Sequence, residues 1–223
     1  ANDDVICSSF TFSASANPIK YLGANPIFID SEPISWNMCP ELLEKSIVEG
    51  IENNKKPKAI ILVHLYGMPA KMDEIMKISN QYDITLIEDA AEALGSTYKN
   101  QPLGTFGKFG VYSFNGNKIV TSGGGGAIVT NDVELGVKAK HLTTTAKVAH
   151  EYEFIHDEIG YNYRMPDILC ALGISQLNTA KENIEKRKQI ASHYIESFQG
   201  SGILSPSVIN NPGHAFHLFV ILV

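Results

Sequence analysis

The chain has 223 residues, 44% hydrophobic and 19% charged, with a net charge of −6 and a pI near 5.6. That length suits one or two domains, and the balance is that of a folded globular protein rather than a disordered one. Only two of the eighteen basic residues are arginines, Arg164 and Arg187, so no basic stripe for nucleic acid is present. Three scattered cysteines, Cys7, Cys39 and Cys170, argue against a disulfide framework or a zinc site, and no apolar run is long enough for a membrane span or signal peptide. A cytoplasmic protein that meets neither membrane nor nucleic acid is expected.

Val5–Cys7 reads as a buried strand, followed by Ser8–Phe12 and a segment of helical character over Ser13–Tyr21. Ala24-Asn25-Pro26 reads as a turn and Ile27–Ile29 as a second strand. Pro40 opens a helix to about Ile51, with Leu42, Leu43, Ile47 and Val48 on one face. Lys55–Lys58 is a polar loop. Strands follow at Ala59–Val63 and Ile84–Ile87, flanking an amphipathic helix over residues 70–82. Phe109–Phe114 and Ala127–Thr130 are two further short strands. Helices then dominate: one from Asp132 to about His141, one over Pro166–Leu177 and one over Ala180–Phe198. His217–Val223 closes the chain as an apolar strand, which suggests a partial chain, since a free apolar edge invites aggregation. His214 and His217, three apart in that tail, read as structural.

Alternating strands and helices from residue 5 to 90 imply an α/β fold with a mainly parallel sheet and helices on both faces. Ligands in such sheets bind beyond the carboxyl ends of the strands, where Phe12, His64 and Asp89 fall. Lys118 sits between Ser113-Phe114-Asn115 and four consecutive glycines, Gly123–Gly126. Two readings stand for it: a shielded nucleophilic amine, or an exposed lysine on a loose loop. The glycines match neither a dinucleotide fingerprint nor a P-loop, because they precede a strand and lack the required spacing. A lysine, a strand-end aspartate and a strand-end serine are the residue types that pyridoxal phosphate chemistry needs. The amine bonds the cofactor, the carboxylate holds the pyridine nitrogen protonated, and the hydroxyl takes the phosphate.

Four segments, Ser9–Phe12, Ile87–Ala93, Tyr112–Lys118 with its glycines, and Gly160–Met165, occur together in an order and spacing that resembles the DegT/DnrJ/EryC1/StrS family of sugar aminotransferases. The resemblance implies a pyridoxal phosphate-dependent fold type I transferase with a large domain of the seven-stranded type. It also implies a homodimer with shared active sites. Residues 1–200 would form the large domain, without its N-terminal segment and part of its phosphate cradle, and residues 201–223 the start of a truncated small one.

Position by position, the resemblance makes Lys118 the Schiff-base lysine and proton shuttle, and Asp89 the partner of the pyridine nitrogen. Phe12 becomes the aromatic stacked on the ring, with a core phenylalanine as its alternative. Ser113 becomes a phosphate ligand, Glu92 a neighbour of the ring hydroxyl, and Asn162 a phosphate contact reaching in from the neighbouring subunit. Roles for Asn115 and Arg164 stay open. The all-glycine tract is similar to that of the branch acting on UDP-linked 4-keto-6-deoxy-N-acetylhexosamines, with glutamate as the usual amino donor. That would place the chain in surface glycan or nonulosonic acid synthesis. A non-catalytic truncated paralogue, keeping the fold and dimer surface without cofactor, is the alternative.

Overall fold

The computed structural model describes residues 1–203 and 211–222. Its strands are β1 (Asp4–Ser8), β2 (Asn25–Ile29), β3 (Ala59–Val63), β4 (Thr85–Asp89), β5 (Thr97–Tyr98), β6 (Gln101–Pro102), β7 (Phe109–Ser113), β8 (Gly126–Val129), β9 (Lys147–Val148) and β10 (Ile155–His156). Its α-helices are α1 (Asn17–Tyr21), α2 (Pro40–Glu52), α3 (Met72–Gln81), α4 (Val133–Thr143) and α5 (Asp167–Phe198), and a single 3-10 turn spans Leu65–Gly67.

The main sheet has six described strands in the order β2-β1-β3-β4-β7-β8. The first five are parallel, and β8 returns antiparallel on β7 with Ser113 opposite Gly126. From β1 the sheet grows outward to β2 on one side and to β3 and β4 on the other. The strand order therefore reverses between β1 and β3, the place where α/β sheets open a crevice. Alternation along the strands sends Ile6, Ile60, Leu62 and Leu86 to one face, under Leu43 and Ile47 of α2 and Met72 and Ile75 of α3. Each such aliphatic side chain contributes roughly 2 kcal/mol by leaving water. The opposite face carries the short α1, whose Ile19 packs on Cys7 and Ala24. Farther along that face Val111 and Ile128 remain 38% and 50% exposed.

Several expectations are corrected. Asn25-Pro26 is not a turn but the start of β2, where the Asn25 side chain donates to Asp4 Oδ1 at 3.2 Å. Pro26 is tolerated there because β2 is an edge strand. On α2 the buried stripe is Pro40, Leu43 and Ile47, while Leu42 and Val48 face solvent. The two helices expected after Pro166 are one 32-residue helix, α5. Asn178 and Thr179 are weak helix formers, but a few tenths of a kcal/mol do not break a helix whose neighbours all favour it. His217–Leu222 has no regular strand, only a bridge residue at Leu222, and the Arg187 side chain on α5 donates to the carbonyl of His217 at 2.9 Å. Val223 and residues 204–210, part of the stretch assigned to a small domain, lie outside the described residues. The hairpins β5–β6 and β9–β10 were not expected. The first turns through Lys99 and Asn100, both left-handed (φ 48° and 65°), as a two-residue turn between antiparallel strands favours.

Candidate active site

A cleft of roughly 1030 Å³ runs along the α1 face of the sheet, from Val5 of β1 and Ala59 and Ile61 of β3 to the carboxyl ends of β3, β4 and β7. Phe12, Asp89, Glu92, Ser113 and Lys118 all line it, together with Gly124–Gly126.

Asp89 is the last residue of β4. Its Oδ2 accepts the Ser15 hydroxyl at 2.6 Å, and its Oδ1 accepts the Ala91 amide at 3.1 Å. Helical character does begin near Ser13, yet Ser13–Ala16 forms turns and α1 starts only at Asn17, with Pro18 in its first turn. The turn buries Ser15 and points its hydroxyl at Asp89. Beneath lies Cys7, whose thiol is pushed up to about 12 by burial and by the charge of Asp89, so it is an inert core residue.

Lys118 follows a turn closed by its own amide on the carbonyl of Asn115 at 3.0 Å. Its side chain is only 14% exposed, and Nζ lies 3.4 Å from Glu92 Oε1. The Lys118 side chain is therefore not exposed on a loose loop. Glu92 is itself fixed: Oε2 accepts the Tyr66 amide at 2.7 Å, while Oε1 also faces His217 Nε2 at 3.6 Å. Tyr66 is left-handed (φ 56°), and Gly67 beside it has φ 88°. A β-carbon on Gly67 would come 2.7 Å from the carbonyl of Glu92, so only glycine allows this approach. In the glycine tract two positions have a steric reason: a β-carbon on Gly125 (φ 85°) would meet the Met165 side chain, and one on Gly126 would run into the backbone carbonyl of Tyr112. Thus the Gly160–Met165 segment touches the tract, as their linkage in one pattern suggests.

Phe12 is 79% exposed in this chain and lines the cleft. Ser113 ends β7, and its Oγ accepts the Asn115 amide at 3.3 Å. Asn162 is exposed, pairs with Thr144 and stands outside the cleft of its own chain. Arg164 is likewise exposed.

Sequence reasoning passed over Ser15, the Tyr66 amide and the closeness of His217 to Glu92. His217 is 1% exposed, and neither ring nitrogen has a hydrogen-bond partner. Burial, with Lys118 and Arg187 nearby, lowers its pKa to about 4; burial does the same to His214. Both imidazoles are neutral in the folded protein and charge on unfolding. The unfolded chain therefore binds more protons between the two pKa values, and stability rises with pH across that window. Unfolding free energy is expected to fall as pH drops from about 6.5 to about 4, by on the order of 3 kcal/mol per imidazole. Urea titrations across that range check it, and His214→Phe should flatten the slope.

The donor set suits pyridoxal phosphate. A shielded amine, a carboxylate oriented by two donors, an exposed aromatic ring and a strand-end hydroxyl meet in one crevice. Each Asp89 oxygen keeps a lone pair for a further donor.

The sequence model of the DegT/DnrJ/EryC1/StrS aminotransferase family matches residues 1–223. EpsN of Bacillus subtilis is 51% identical over 193 residues, which cover 86% of this chain and 49% of EpsN. The GDP-perosamine synthase of Escherichia coli O157:H7 is 43% identical over 192 residues, 86% of this chain and 51% of that enzyme. Among solved structures, Helicobacter pylori PseC, an aminotransferase involved in the biosynthesis of pseudoaminic acid, matches with a TM-score of 0.91. Its identity is 30%, over 99% of this chain and 58% of that one. The chain spans about half the length of the curated relatives it matches.

Proposed function

The chain belongs to the DegT/DnrJ/EryC1/StrS aminotransferase family, and from that premise we propose that it carries the catalytic face of a pyridoxal phosphate-dependent nucleotide-sugar aminotransferase. The substrate is a UDP-linked 4-keto-6-deoxy sugar aminated at C4, with glutamate as donor, in the synthesis of a surface glycan or nonulosonic acid. Lys118, Asp89 and Phe12 converging on one cleft is the observation that carries this assignment.

When bound, the cofactor supplies an aldehyde that takes up the amino group and a ring that accepts electrons. Lys118 supplies the covalent attachment and moves protons through Nζ. Asp89 receives the ring nitrogen's proton as a hydrogen bond, with its carboxylate plane set by Ser15 and Ala91. Phe12 would stack on the ring, Ser113 would hold the phosphate, and Glu92 would lie near the ring hydroxyl. Asn162 reaches the cofactor of a second subunit in a homodimer, in keeping with its place outside its own cleft.

A GDP-linked sugar is the second reading, favoured by the name of the E. coli relative. A substrate comparison between the UDP- and GDP-linked 4-keto sugars separates the two. The site itself is tested by adding pyridoxal phosphate to the purified protein, reducing with borohydride and mapping the adduct by mass spectrometry. Label confined to Lys118 is the expected result. Label spread over surface lysines, or none, would sink the assignment.

A further inference from the structure

Asp89 is held by a two-step hydroxyl chain that starts at Thr11. Ser15 Oγ lies 2.6 Å from Asp89 Oδ2, and Thr11 Oγ1 lies 2.7 Å from Ser15 Oγ. A serine hydroxyl has one proton, and Ser15 spends it on the carboxylate, which only accepts. Its oxygen is then an acceptor, so Thr11 must be the donor of the second bond. The chain has one direction: Thr11 to Ser15 to Asp89. Ser15 is 4% exposed, so water does not compete freely for it. Thr11 is half-buried and lines the cleft together with Ser15 and Asp89.

We propose that Thr11 and Ser15 are positioning residues that fix the rotation of the Asp89 carboxylate toward the cofactor's ring nitrogen, Thr11 acting only through Ser15. The Ala91 amide fixes the other oxygen at 3.1 Å, so the carboxylate is gripped from both sides. Successive hydroxyl bonds polarise one another, which strengthens the last donor in the chain. The sequence around them explains the geometry: the turns at Ser13–Ala16 delay α1 and keep residues 11 and 15 on the cleft side. This inference rests on the cofactor assignment above.

The test is a double-mutant cycle read as the dissociation constant of pyridoxal phosphate, followed by fluorescence quenching in the protein carrying Ser15→Ala, Thr11→Val or both. Ser15→Ala is expected to weaken binding about ten-fold, in line with loss of a hydrogen bond to a charged group. Thr11→Val, nearly isosteric, should weaken it about three-fold, and Thr11→Ser should restore the wild-type value. In the Ser15→Ala background Thr11→Val should change nothing further, since its route to Asp89 is gone. Melting of the cofactor-free protein separates folding from positioning, because a purely structural role shifts the melting temperature and leaves affinity alone. Wild-type affinity in both single variants, or effects that simply multiply, overturns the inference while borohydride label at Lys118 keeps the site. Absence of that label in the unmutated protein removes both.

Discussion

Lys118→Ala is expected to lower transamination by about 10⁴-fold or more, since one residue provides both the covalent attachment and the proton transfers. Lys118→Arg should fail equally, although it keeps a cation beside Glu92 Oε1, now 3.4 Å from Nζ. Charge alone then does not serve; a nucleophilic amine does. Lys118→Ala should also weaken folding, because it leaves the largely shielded Glu92 carboxylate without its cation (side chains 14% and 20% exposed), whereas Lys118→Arg should change folding less. Single-turnover assays with the keto sugar, beside circular dichroism melts, check both halves. Activity retained in the arginine variant would contradict the assigned role.

Glu88→Ala is expected to be the most damaging single change to the fold. Glu88 is fully buried next to Asp89 and receives His64 Nε2 at 2.9 Å. It also accepts the amides of Gly104 at 2.7 Å, Phe106 at 2.6 Å and Gly107 at 2.7 Å. Burial pushes its pKa upward, but His64 and these amides outweigh that and hold it below the usual range. The His64 ring completes the network by accepting the Ala70 amide on Nδ1 at 3.4 Å, which makes Nε2 the protonated nitrogen. Removing the carboxylate leaves one buried amide, two part-buried ones and a buried imidazole without an acceptor. A loss of about 4–5 kcal/mol follows, a large share of the roughly 5–15 kcal/mol that holds a typical protein together. The urea midpoint should fall with the slope unchanged. Glu88→Gln, which keeps one acceptor oxygen, should lose about half as much.

The strands were legible because parallel strands buried on both faces are short continuous apolar runs, and Ala59–Val63 is one. Asp89 and Lys118 stood out because polar groups bounded such runs or glycines. What the sequence concealed was non-local. Nothing around Ser15 announces that its hydroxyl goes to a strand end far along the chain rather than to the first turn of a helix. His217 looked like any histidine in an apolar tail, because its neighbour Glu92 belongs to a different segment. Continuity of α5 was hidden by two weak helix formers whose cost is too small to matter. The hairpin at Lys99-Asn100 depends on two left-handed residues that sequence marks only faintly.

The seat of His217 beside Glu92 is also a statement about time. Ala215 donates its amide to Ser96 Oγ across 119 residues, at 3.0 Å, and Thr97 donates to the carbonyl of Gly213 at 2.8 Å. Closing a loop of that length costs about 4 kcal/mol of chain entropy. At roughly 5–20 residues per second, the strands bearing Asp89 and Ser113 leave the ribosome several seconds or more before Ala215 is made. The nascent chain can thus assemble its parallel strands and hold Lys118 against Glu92 while the seat for His217 is still vacant. Docking of 213–217 onto Ser96 and Thr97 then follows the assembly of those strands.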